Sequence, residues 1–167
     1  MTRLPTGTVT FLFTDVEGST KLLEQLGERY HRAQDCHASI MRTAVAEGNG
    51  SIVSTEGDSF FAVFSDAGRA VSAAVQAQRE LAATSWPTGA RLRVRMGLHT
   101  GAGTLGGDNY LGLDVNRAAR IAAAAHGGQI LLSDTTQSLV ERCLPPGTRL
   151  RGLGQHRFKG LTEPDRA

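Results

Sequence analysis

Lysine is nearly missing from this 167-residue chain. Lys21 and Lys159 are the only two, and arginine supplies the rest of its 18 basic residues. Against 16 acidic residues the net charge is +2, too small for a chain whose main partner is nucleic acid. Cysteine is as scarce: Cys36 and Cys143 fit no CxxC spacing, so two reduced thiols are expected, without disulfide or thiolate-metal chemistry. No apolar run approaches the roughly 20 residues of a membrane span, and the N-terminus lacks the apolar core of a signal peptide. A soluble, cytoplasmic chain is therefore expected, with no membrane partner. Repeats and low-complexity segments are absent too. What remains is 40% apolar and 20% charged, an ordinary globular composition whose length suits one domain over residues 1–167.

The apolar pattern divides this domain into short elements. Residues 8–16, TVTFLFTDV, are β-branched and aromatic and read as a strand. Ser19-Thr20 is expected to cap a helix bearing Leu22, Leu23 and Leu26. Gly27 separates it from a second helical pattern over 28–47. Strands at 51–55 and 59–64 meet at Glu56-Gly57-Asp58, a spacing that makes a hairpin. An alanine-rich helix follows over 67–83 and breaks at Trp86-Pro87-Thr88-Gly89. Leu92, Val94, Met96 and Leu98 alternate as a strand. A glycine-rich loop over 101–112 leads to a helix over 115–125 and a strand at Ile130-Leu131-Leu132. Ser133-Asp134 caps another helix, which Pro145-Pro146-Gly147 ends, and 148–160 reads as strand. One hairpin inside an alternating pattern predicts α+β: a mixed sheet with helices packed on it, a ferredoxin-like core being one candidate.

Two acids stand out. Asp15 sits where the strand Phe11-Leu12-Phe13 runs out, and Asp58 sits at the tip of the hairpin. A carboxylate at the end of an apolar strand costs several kcal/mol unless water, hydrogen bonds or a cation compensates it. If the first strand lies beside the hairpin, the two acids meet at one edge of the sheet and repel unless a positive charge lies between them. Hard divalent cations are the usual answer, and paired Mg²⁺ sites suit phosphate chemistry. Either acid alone reads more readily as a solvated or capping residue; as a pair, the two fit the cation reading equally well.

Five stretches, FTDVEGST, TEGDSFFAVF, VRMGLHTG, GLDVNRAARIAAAAHGGQILLS and HRFKGLTEP, run in order from the N-terminal strand to Pro164. Together they resemble the class III nucleotide cyclase catalytic domain, and the opening LPTGTVTFLFTD is similar to an actinobacterial subgroup of it. The resemblance implies a ferredoxin-like βααββαβ core and two subunits arranged antiparallel as a homodimer, with active sites shared across the interface. It implies that Asp15 and Asp58, with the Val16 carbonyl, bind two divalent cations, Mg²⁺ or Mn²⁺. On NRAAR, Asn116 and Arg120 lie one helical turn apart. The resemblance assigns Asn116 to the ribose and Arg120 to charge developing at the α-phosphate; by itself Arg120 reads as a surface ion pair. Arg117 points elsewhere by helical spacing and reads as solvated. Lys159, in FKG, matches the lysine that grips the terminal phosphates. The glycine spacing of 101–112 fits neither the P-loop nor the dinucleotide fingerprint, and the segment reads as the interface arm of the cyclase fold.

Three positions depart from the family pattern. Adenine-specific enzymes carry Lys four residues before the second metal aspartate and Asp seven before the ribose asparagine; here Ser54 and Asn109 occupy these substrate-binding positions. The guanine pattern is absent as well, and Ala102 stands where many relatives have a phosphate-facing arginine. Hydrogen bonds that specify a base reject the wrong one by leaving polar groups unpaired, so their loss loosens discrimination. The expected activity is adenylate cyclase, ATP to 3′,5′-cyclic AMP and pyrophosphate, at low turnover and with GTP as a side substrate. The alternatives are a guanylyl cyclase and a weakly active or inactive cyclase-fold module that binds nucleotide and dimerises for regulation. Relatives continue past LTEPDRA, which implies further domains in a longer protein.

Overall fold

The computed structural model describes residues 3–86, 91–156 and 165–166. Strand β1 (Gly7–Val16) leads to helices α1 (Ser19–Leu26) and α2 (Glu28–Glu47), then to the hairpin β2 (Ser51–Glu56) and β3 (Ser59–Phe64). Helix α3 (Ala67–Ala83) connects to β4 (Val94–Gly106), β5 (Asn109–Leu111) and α4 (Leu113–Ala124). Strand β6 (Ile130–Leu132), α5 (Asp134–Val140), β7 (Gln155–His156) and β8 (Asp165–Arg166) complete the described elements. The sheet order is β2-β3-β1-β4-β5, antiparallel throughout, and β6 adds to β4 in parallel. This is the expected mixed sheet with helices packed on it. None of the described helices is long and apolar enough to cross a membrane.

Alternation along β1 decides which layer each residue joins. Leu12 and Val16 enter a core with Met41, Ala44 and Val45 of α2 and Ala70, Ala74 and Ala77 of α3. Val9 and Phe11 point to the opposite face, with Phe61, Tyr110 and Ala118 of α4. Alanines at the spacing of one helix face let α3 pack closely on the sheet, and Asp66 caps that helix by accepting from the Arg69 N–H at 2.8 Å.

Several expected boundaries moved. Helix α1 starts after Gly18, whose left-handed backbone (φ 65°) turns the chain without a side-chain cap, so Ser19 and Thr20 belong to the helix itself. Leu22 and Leu26 pack on the core, whereas Leu23 is exposed. The stretch 101–112 is no loop. Gly101 to Gly103 still pair with β1, and Thr104 to Gly106 pair with β5 as a hairpin. Backbone pairing here needs no side chains, which is why a glycine-rich sequence hides it. Helix α5 does start at the expected cap, Ser133, yet ends at Val140, before the prolines. Of the expected C-terminal strand only Gln155–His156 is found, paired with Asp165–Arg166; residues 157–164 lie outside the described residues, as do 87–90 of the expected break after α3.

Inside the α2 layer His37 is fully buried, edge-on to the Phe60 ring, with Nδ1 2.9 Å from Gln34 Oε1. Gln34 Nε2 in turn donates to the Gly57 carbonyl at 3.1 Å, so the network puts the His37 proton on Nδ1. Burial lowers the His37 pKa to about 4, against a smaller upward pull from Asp58. Above pH 6.5 the ring is neutral in both folded and unfolded chains and contributes no pH dependence. As pH falls below 6.5 the unfolded chain takes up the proton first, so stability drops by about 1.4 kcal/mol per unit until the folded pKa is reached. Urea unfolding of the wild type should therefore show a loss of about 2 kcal/mol between pH 7 and pH 5. In His37→Met at least half of that slope should vanish; an unchanged slope would show that the titrating group is elsewhere.

Candidate functional site

Asp15 lies on the face of β1 that α4 covers, directly opposite Arg95 of β4. Arg95 Nε donates to Asp15 Oδ1 at 2.6 Å and Nη2 to Oδ2 at 2.5 Å, a two-pronged ion pair. The third nitrogen, Nη1, is 3.4 Å from the carbonyl of Ala123 in the last turn of α4. The carboxylate at the strand end thus already holds a cation, which comes from the chain itself. The Asp15 hydrogen bonds are the main reason the Arg95 pKa rises, with Glu17 and Asp58 adding to the negative field around it.

Asp58, at the β2–β3 turn, reaches the same end of the sheet, since β1 and β3 are paired up to Thr14↔Phe60. Tyr30 of α2 donates its hydroxyl to Asp58 Oδ2 at 3.4 Å. Burial, then the Asp58 charge, push the Tyr30 pKa up to about 12, so the hydroxyl stays a donor. Tyr30, and Gln34 through the Gly57 carbonyl, brace the turn that carries Asp58. Val16 buries its side chain in the α2–α3 core, leaving only its backbone for the site. No cluster of three or more acidic, histidine or cysteine side chains able to hold a metal exists among the described residues. Two carboxylates and a carbonyl oxygen are nevertheless a hard-ligand set suited to Mg²⁺ or Mn²⁺, and Arg95 on Asp15 stands in for a cation there.

Ser54 pairs with Phe61, which pairs with Phe13, whose partner on β4 is Gly97. Directly opposed residues share a face, so exposed Ser54 lies on the Asp15 side, one pleat away. The Phe13 and Phe61 rings, stacked 4.2 Å apart, floor that face. Asn109 is exposed where β5 begins, and its Oδ1 accepts from the Tyr110 N–H at 2.8 Å. Ser54 and Asn109 are thus on edge strands at opposite sides of the sheet.

Helix α4 carries Asn116, exposed, and Arg120, half-buried. Arg120 Nε is buried and has no acceptor among the described residues. Within these residues no hydrogen bond or ion pair joins Asp15 or Asp58 to Asn116 or Arg120, so one chain displays two separate halves. Arg117, expected in solvent, is half-buried, and its charge acts on Asp114 one turn earlier. Lys159 lies outside the described residues.

In sequence VRMGLHTG reads as an alternating strand and as one of the stretches that carry the family resemblance, a reading that misses what its second face does. A Cβ on Gly97 would sit 2.3 Å from the Ala122 backbone nitrogen, and one on Gly101 would sit 2.2 Å from the Asp114 carboxyl carbon. Between them buried His99 gives Nε2–H to Asp114 Oδ1 at 2.8 Å, while its Nδ1 meets the Ser133 hydroxyl at 2.7 Å. Asp114 Oδ2 also accepts the Ala102 N–H at 2.9 Å. Burial raises the Asp114 pKa, but the Ala102 N–H, His99 and the Arg117 charge outweigh it and the net shift is downward. Ser133, His99 and Asp114 look like a nucleophilic triad with the two ring nitrogens exchanged. Ser133 is buried and caps α5, so the set is a brace that fixes the start of α4. The signal was present in the sequence: glycine and histidine alternating with apolar residues mark a covered face, not a wet one.

The family model for the adenylate and guanylate cyclase catalytic domain matches residues 1–164. This chain belongs to that family. An uncharacterized protein of Mycobacterium tuberculosis is 39% identical over 163 residues, 96% of this chain and 55% of that protein. The chain therefore spans about half the length of the curated relatives it first matches. An adenylate cyclase of Podospora anserina is 33% identical over 165 residues, covering 84% of this chain and 8% of that protein. Among solved structures, an adenylate cyclase from Trypanosoma brucei in its monomeric state superposes with a TM-score of 0.87 at 26% identity, over 99% of this chain and 90% of that one. The cyclase fold is thus shared along the whole described sheet.

The α4 seat yields a direct test. Gly101→Ala should destabilise the domain by about 1–3 kcal/mol, because the added methyl meets the Asp114 carboxylate. In an Asp114→Ala background the same change should cost less than half as much, measured by chemical denaturation as a double-mutant cycle. Equal costs in both backgrounds would mean that the carboxylate is not what excludes a side chain at this position.

Proposed function

We propose that this domain is a purine nucleotide cyclase that converts ATP to 3′,5′-cyclic AMP and pyrophosphate at sites shared by two copies of the chain. The observation that carries the reading is the convergence of Asp15 and Asp58 at one end of the sheet, Asp15 already bound to a cation. Asp15, Asp58 and the Val16 carbonyl would hold two divalent ions. Bound there, such ions make the ribose 3′-hydroxyl more acidic and offset the triphosphate charge. The reaction joins the 3′-oxygen to the α-phosphorus and breaks the bond from that phosphorus to pyrophosphate. Arg120, with a guanidinium N–H that has no acceptor among the described residues, suits charge growing on the α-phosphate. Asn116, one turn earlier on the same helix face, orients the ribose. Lys159 is assigned to the terminal phosphates through the family motif alone.

No hydrogen bond or ion pair joins Asp15 or Asp58 to Asn116 or Arg120 among the described residues, which favours a second copy completing the site. The exposed Leu111 and Leu113, beside the β4–β5 hairpin, give that end of the molecule an apolar surface for such a copy. One observation favours GTP as a second substrate. Asn109 commits its carbonyl oxygen to the Tyr110 N–H, which leaves the amide NH₂ as its uncommitted group. A donor suits guanine O6 better than the adenine 6-amino group.

Incubation with Mn²⁺ and either ATP or GTP, with quantification of both cyclic products, tests the reaction. Asp58→Ala and Arg120→Ala should each lose roughly 100-fold or more in rate, about 2.7 kcal/mol of transition-state stabilisation. Mixing the two inactive variants should restore part of the activity, since a mixed dimer holds one intact site. Subunits that exchange and remain inactive would overturn the shared site, and a wild type that makes neither product would favour a regulatory binding module.

Base choice gives a second test. Each discriminating hydrogen bond is worth roughly 1–3 kcal/mol when its loss strands a buried polar group. With Ser54 and Asn109 in place, ATP and GTP should differ by less than about 100-fold in kcat/KM. Ser54→Lys combined with Asn109→Asp should raise kcat/KM for ATP and suppress GTP turnover. A wild type that already rejects GTP by several orders of magnitude would show that other residues read the base.

A further inference from the structure

Arg95 stands on the carboxylate to which the proposed function assigns a divalent ion. Its grip is two-pronged, at 2.6 and 2.5 Å, and uses both oxygens of Asp15. The pair is only partly covered: the Arg95 and Asp15 side chains keep 29% and 30% of their surface exposed, so a hydrated cation can approach. It would arrive, however, beside a fixed positive charge that already takes up the lone pairs on one side of the carboxylate.

Arg95 also has somewhere else to go. Nη1 is already 3.4 Å from the Ala123 carbonyl, at the end of α4 where helix carbonyls lack intrahelical donors. Glu17 adds negative field on the same side. In one placement the guanidinium thus reaches both Asp15 and the Ala123 carbonyl, so that an Arg95 released from Asp15 keeps an acceptor at the C-terminus of α4.

We propose that Arg95 is a counter-ion latch on the metal site, holding Asp15 while no divalent ion is bound and withdrawing toward the Ala123 carbonyl and Glu17 when one binds. The inference rests on the assignment of Asp15 as a metal ligand. It adds that the apparent metal affinity of this domain is set by competition with its own arginine. Arg95 acts on the reaction only through Asp15 and is a positioning residue.

The probe is Mn²⁺ alone, titrated into the protein and followed by the loss of the free-ion EPR signal, with no nucleotide and no turnover. Arg95→Gln should bind Mn²⁺ roughly tenfold more tightly than wild type, because the competing charge is gone. Arg95→Lys retains the charge but not the two-pronged geometry, and should fall between them. Thermal unfolding with and without Mn²⁺ gives a second reading: the ion should raise Tm more in both variants than in wild type. Asp15→Asn should lose Mn²⁺ binding and, combined with Arg95→Gln, should cancel the gain. If Arg95→Gln does not fold, Arg95→Lys carries the test by itself. Folded Arg95 variants that bind Mn²⁺ no better than wild type, while Asp15→Asn loses binding, would overturn the latch and leave the metal assignment standing. Mn²⁺ binding unaffected by Asp15→Asn would overturn the assignment, and the latch with it.

Discussion

The antiparallel register of β1 on β4, running from Gly7↔Gly103 to Val16↔Val94, fixes the relations on which this domain depends. It sets Asp15 opposite Arg95, Phe13 opposite Gly97 and Phe11 opposite His99, all on one face. On the other face it sets Thr10 opposite Thr100, whose hydroxyls meet at 2.9 Å and continue to Thr136 of α5. A slip of one residue would turn each of these sets to the wrong layer, leaving Asp15 in the α2–α3 core without its guanidinium. Both layers bury large side chains against β1, so the apolar pattern holds the polar pairs in register.

Strand β4 then seats α4. Its covered face reads Arg95, Gly97, His99, Gly101, and each residue meets the helix differently: Arg95 at the Ala123 carbonyl, Gly97 at the Ala122 backbone, His99 and Gly101 at Asp114. Small residues bring the backbones together, while the histidine and arginine grip the two ends of the helix. Asn116 and Arg120 take their positions from this seat, since both lie between its anchored ends. Rigid support of this kind suits the roles proposed for Asn116 and Arg120, because small displacements of a reacting group are costly in rate.

The elements whose side chains carry the pattern were legible. Leu12 and Val16 on one side, Val9 and Phe11 on the other, announce a strand buried on both faces, and the apolar spacing of 28–47 and 67–83 gives helices close to those found. Where backbone alone does the pairing, as at Gly101 to Gly106, there was nothing to read, and a strand passed for a loop. The convergence of Asp15 and Asp58 was foreseen from their places at apolar strand ends. Arg95 was not, because a lone arginine between Val94 and Met96 looks the same in sequence whether it faces water or a carboxylate. Only the register of a strand 80 residues away separates the two cases.

The two halves of the proposed site differ in how far the described residues satisfy them. At the carboxylate end Asp15 has Arg95, and Asp58 has the Tyr30 hydroxyl and a share of the same guanidinium field. That half can fold without any ligand, since no carboxylate there is left uncompensated. On α4 the balance runs the other way: Asp114 is saturated by the Ala102 N–H and His99, whereas among the described residues Arg120 keeps a buried N–H without an acceptor. One set is a pair of carboxylates shielded by the chain's own guanidinium, and the other holds a buried guanidinium N–H with no acceptor among the described residues. Under the proposed function, a second copy and a polyanionic substrate supply the charges that these two sets lack within the described residues.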